Sequence, residues 1–64
     1  MPRMTKEEKR IEKETEQAFN KNASGIQFDI MDLGKIHQAG VNAGKANQSI
    51  EEAVKAAIQT YRKN

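Results

Sequence analysis

The chain contains no cysteine and no tryptophan, and it has one proline, one histidine and three aromatic residues in all (two Phe, one Tyr). Without cysteine there is no disulfide and no thiolate metal site. The single histidine, His37, cannot assemble a zinc cage with no thiolates beside it. Apolar runs are never longer than three residues, so no helix is expected to span a membrane. The N-terminus lacks the apolar core of a signal peptide, and a cytoplasmic location is expected. An enzyme needs a pocket with converging groups, and no nucleophile–base pair is evident. The expectation is a non-enzyme with no cofactor and no metal.

What remains is 64 residues with 36% hydrophobic content, 31% charged content and a net charge of +2. That length holds one domain. A domain this small buries only about 60% of the surface its unfolded chain exposes, so it needs a further stabilising device. With disulfides and zinc excluded, oligomerisation is that device. The small positive charge leans only weakly toward a nucleic-acid partner.

Composition changes near residue 23. Residues 1–23 hold six basic and five acidic residues around a few large apolar ones: Met1, Met4, Ile11 and Phe19. This reads as a charged N-terminal arm, with 24–64 as the folding unit. The arm carries helix signals. Thr5 followed by Glu8 is a capping box. Glu7–Arg10, Lys9–Glu12, Arg10–Glu14 and Lys13–Glu16 are spaced to pair along a helix over about 5–21. Ile11, Ala18 and Phe19 make a thin apolar stripe. A short helix without a docking surface is marginal in water. A solvated tail, a helix docked on the core and an element of higher assembly all stay open for the arm.

Residues 20–25 (Asn-Lys-Asn-Ala-Ser-Gly) are a breaker. In the run Ile26-Gln27-Phe28-Asp29-Ile30, apolar and polar residues alternate strictly, the pattern of a half-buried strand. No second alternating run exists to pair with it in the chain, so the strand is expected to pair with its copy in a second chain. Asp32 is placed to cap a following helix. That helix is expected to bury Leu33, Ile36 and Ala39, with His37 on its surface. Gly40 leaves room for close helix approach, and Gly44 is expected as a C-terminal stop. Ser49 with Glu52 forms a second capping box. Beyond it Ile50, Ala53, Val54, Ala57, Ile58 and Tyr61 line one helical face, with Glu51 and Glu52 at its start and Arg62 and Lys63 at its end to suit the helix dipole.

Strand, helix, turn and helix in about 41 residues, with a strand that pairs in trans, resembles the ribbon-helix-helix family of Arc- and MetJ-type DNA-binding dimers. Gln27-Phe28-Asp29-Ile30 is similar to the family's strand. The run from Ile36 to Lys45 is similar to its first helix and glycine-basic turn, and Ala53-Val54-Lys55-Ala56-Ala57-Ile58-Gln59-Thr60-Tyr61 to its second helix. The resemblance covers 24–64. It implies a mostly α intertwined homodimer, with a dimer core of Ile26, Phe28, Ile30, Leu33, Ile36, Val54 and Ile58. It implies a two-stranded ribbon in the major groove of double-stranded DNA, with Gln27, Asp29 and Met31 contacting bases. Gly25, Lys45, Asn47, Gln48 and Ser49 would meet phosphate, the last of these at a helix N-terminus. The function so implied is a small transcriptional repressor or a plasmid or phage accessory regulator, with higher oligomers on DNA and a protein partner for the arm among its options. The alternative is an all-helical module that binds another protein and not DNA. In that case 26–44 is one helix of a three-helix bundle or a helical dimer.

Overall fold

A computed structural model of the chain describes residues 5–62. Met1, Met4 and Lys63, which the sequence reading used, lie outside them. Three helices follow one another: α1 (Lys6–Asn22), α2 (Ile30–Lys45) and α3 (Ile50–Tyr61). Each helix packs against both of the others.

The ends of the helices follow local chemistry. The amide of Glu8 donates to Thr5 Oγ1 at 3.1 Å, and the amide of Glu52 donates to Ser49 Oγ at 3.3 Å, so both capping boxes start helices where the sequence places them. On α1, Arg10 pairs with Glu7 at 3.5 Å and with Glu14 one turn further on. The end of α2 differs from expectation. Gly44 is not the stop but lies inside the helix, which continues to Lys45. The residue that reverses the chain is Asn47, at φ 59°. The amide of Gln48 donates to the carbonyl of Ala43 at 2.8 Å and that of Asn47 to Gly44 at 3.2 Å. This pair of bonds is a Schellman closure with Asn in the left-handed position.

The ribbon-helix-helix expectation is overturned: among the described residues there is no strand, and the fold is a three-helix bundle. The alternation that suggested a strand is nonetheless visible in the burial. Ile26 and Phe28 are half-buried and packed against the core, while Gln27 and Asp29 are exposed. The segment is an extended connection from α1 to α2, and its two apolar residues rest on the bundle. Ile30 does not continue that inward face. It is the first residue of α2 and 87% exposed. The helix therefore starts earlier than expected, with Asp29 as its N-cap and Asp32 in its first turn.

The core is shared by all three helices: Ile11 and Ala18 from α1, Ile36 from α2, and Ile50, Val54, Ala57 and Ile58 from α3. Ile36 and Val54 are completely buried. Thr15 joins them at 1% exposure, its hydroxyl donating to the carbonyl of Ile11 at 2.7 Å, so that its polar atom is satisfied inside its own helix. Around Thr15 α1 and α2 come unusually close. A Cβ on Gly40 would lie 2.5 Å from Thr15 Cγ2 and 2.9 Å from Val54 Cγ2, and one on Gly44 would lie 2.7 Å from Ile11 Cγ2. Gly34, in the first half of the same helix, has nothing within 4 Å of such an atom.

This contrast makes opposite predictions for one chemical change. Gly40→Ala should lower stability by about 1–3 kcal/mol through overpacking, partly offset by better helix propensity. Gly34→Ala should raise it by about 0.5–1 kcal/mol. Urea unfolding followed by circular dichroism reads both, and two changes of the same sign would contradict the packing described.

Candidate interaction surface

The structure separates the residues that the family resemblance grouped. Gln27 and Asp29 are exposed in the α1–α2 connection, and Met31 is 78% exposed in the first turn of α2. Of the phosphate candidates, Gly25 (φ 78°) turns the same connection, whereas Lys45, Asn47, Gln48 and Ser49 belong to the end of α2 and the turn into α3. Asn47, Gln48 and Ser49 line a concavity of about 630 Å³ together with Arg10 and Lys21. The cations there are already engaged: Arg10 by Glu7 and Glu14, and Lys21 by Glu51 at 3.7 Å. Ser49 is occupied as a helix cap.

The apolar residues assigned to a two-chain core also divide. Ile36, Val54 and Ile58 are buried within the single chain. Ile26 and Phe28 are half-buried against it, and the Phe28 ring lies 5.7 Å from that of Phe19 at a tilt of 47°. Ile30 and Leu33 face outward, Leu33 at 39% exposure.

Leu33 lines a groove between α1 and α2, and Ile30 stands about one turn before it on the same helix. Thr15, Glu16 and Phe19 of α1 and Leu33 and His37 of α2 enclose about 280 Å³, with a lining that is mostly apolar. Further along the same pair of helices, Glu8, Ile11 and Glu12 face Val41 and Lys45 across a smaller hollow of about 150 Å³. Between the two hollows His37 Nε2 reaches Glu12 Oε1 at 3.3 Å. Ile30, Leu33, His37 and Val41 are spaced three or four apart and so follow one side of α2. On the other side of α2, Lys35 lies over the Tyr61 ring of α3, 5.5 Å from its centre.

Sequence reading missed two parts of this arrangement. Thr15 forms the wall at the closest approach; its place four residues after Ile11 and three before Ala18, inside the apolar stripe, was the available signal. Ile30 and Met31 as surface residues had no signal beyond the choice of where α2 begins. Among the described residues no helix is long and apolar enough to cross a membrane, and no group of His, Cys, Asp or Glu is arranged to hold a metal. Comparison with protein-family models, curated proteins and solved structures gives no match.

If Ile30 and Met31 are surface residues, replacing either with Ser should change stability by less than about 0.5 kcal/mol. Ile36→Ala should cost about 2–5 kcal/mol by opening a core cavity. Thermal melts of the three variants distinguish the two kinds of apolar residue, and a loss at Ile30 or Met31 as large as that at Ile36 would place them in the core.

Proposed function

We propose that the chain is a small helical interaction module that binds a helical segment of another protein in the groove between α1 and α2. The observation that carries this reading is the apolar line along one side of α2. Leu33 stands 39% exposed in a mostly apolar hollow and Ile30 87% exposed one turn before it, whereas the other large aliphatic residues among those described are buried or half-buried, apart from Met31. Exposed apolar patches with a polar rim are the usual mark of a protein contact. A groove between two helices takes the apolar face of a third, through anchors spaced three or four residues apart.

The earlier expectation of DNA recognition depended on a ribbon shared by two chains. Its reading residues would have been presented by a strand, and the described residues contain none. The all-helical interaction module is the reading the bundle supports.

A direct test uses a synthetic amphipathic helical peptide with leucines at positions i, i+3, i+4 and i+7 and only Gln and Ala elsewhere. Titrated into isotope-labelled protein, it should produce saturable NMR shift changes centred on Phe19, Leu33, His37 and Val41. Leu33→Asp should abolish them while leaving the helical circular dichroism intact. Shifts absent from these residues, or spread evenly over the three helices, would overturn the reading.

A further inference from the structure

The groove has one charged wall. Glu8, Glu12 and Glu16 follow one another at four-residue intervals along α1, and each lines one of the two hollows or contacts a residue that does. Three carboxylates at this spacing form a row about 12 Å long at 1.5 Å rise per residue. Glu8 is offset by the helix start and by Thr5, whose hydroxyl donates to it at 3.4 Å, whereas like charges four apart at Glu12 and Glu16 repel. Lys9 and Lys13 lie three residues before Glu12 and Glu16 on the same helix, but neither closes an ion pair with them. Arg10 is taken by Glu7 and Glu14, Lys21 by Glu51, and Lys35 lies over Tyr61. No Lys or Arg among the described residues comes within ion-pair distance of Glu8, Glu12 or Glu16. His37 contacts Glu12, and Lys45 lines the smaller hollow at its far end. The net charge of the whole chain is +2, so a row of three carboxylates beside this apolar groove runs against the chain's overall charge.

We infer that the occupant of the groove is a cationic amphipathic helix, with Lys or Arg repeating at intervals of about four residues on the edge that meets α1 and large apolar side chains facing Leu33 and Val41. This deepens the proposed function and rests on it. A second copy of this chain fits the groove less well, because it brings the same row of carboxylates to the contact, and like-charge juxtaposition opposes association. A basic helix places opposite charge against the row while its apolar face covers Ile30 and Leu33, so one ligand satisfies both walls.

The test compares three synthetic peptides with the same leucine face, flanked by Lys, Gln or Glu, against the full chain by fluorescence anisotropy and NMR shift mapping. The Lys peptide should bind about tenfold more tightly than the Gln peptide, the order expected of two or three exposed ion pairs, and the Glu peptide more weakly than either. The advantage of the Lys peptide should vanish in 1 M salt, where charges are screened beyond about 3 Å. It should also vanish in the double variant Glu12→Gln with Glu16→Gln, whose positions are exposed and whose fold circular dichroism checks. Equal affinity for all three peptides at the groove would overturn the cationic occupant and leave the interaction module standing. Failure of every peptide to shift groove residues would overturn both. Light scattering that finds a dimer, with Leu33→Asp monomeric, would give the groove to a second copy and likewise overturn the inference.

Discussion

The structure depends on how closely α1 can approach α2. Where α2 carries Gly40 and Gly44, there is no side chain to hold the helices apart, and Thr15 and Ile11 fill the space a Cβ would need. Glycine inside a helix costs about 1 kcal/mol relative to alanine, so two of them in α2 are a local penalty. The contact they permit offsets it: α1 lies on the bundle closely enough for Ile11, Thr15 and Ala18 to be buried with α2 and α3. About two turns before Gly40, α2 carries Leu33, and there the helices leave the groove open. Close packing at Gly40 and Gly44 and an open groove beside Leu33 are thus produced by the same helix pair.

Part of the core that pointed to a second chain is supplied within this one. A unit of about 41 residues, with two helices and an unpaired strand, needs a partner to cover it; a third helix of 17 residues supplies that cover instead. The segment that resembles a charged arm in composition is charged on the faces turned to solvent and nearly free of charge on the side turned inward. Arg10, Glu14 and Lys21 pair on its outside, while Ile11, Thr15 and Ala18 form a narrow strip against the other helices. The strip lies against Gly40 and Gly44 where the helices come closest, and elsewhere against Ile36 and the apolar face of α3.

The elements best read from sequence are those governed by local bonds. Thr5 with Glu8 and Ser49 with Glu52 start their helices as expected, and the apolar face of α3 is buried at Ile50, Val54, Ala57 and Ile58. The failures share a physical cause. In 26–30, period-two alternation describes any extended segment with one side against a core, and five residues cannot show whether a ladder accompanies it. Once that segment was read as a strand, the start of α2 moved past Asp32, and Ile30 was turned inward when the helix turns it out. The end of α2 was missed for a related reason. Gly44 has the residue type of a stop, but its place against Ile11 requires a glycine for packing, and the left-handed turn falls to Asn47 three residues later. The candidate groove is legible in the sequence only in pieces: Leu33 reads as a core residue, His37 as a surface one, and the carboxylates of α1 as members of solvent-facing pairs.

The order of the helices along the chain bears on how the bundle comes apart. The turn from α2 to α3 is four residues long and closed by backbone bonds, so these two helices form a hairpin of nearby contacts. Helix α1 joins it through a longer connection and meets α3 across the full length of α2. When α1 lifts away, it uncovers bare backbone at Gly40 and Gly44, and with it Ile36 and Val54 of the shared core. Chain connectivity therefore makes the hairpin the unit with the least entropy to close, and amides of α1 are expected to exchange with solvent no later than those of α2 and α3.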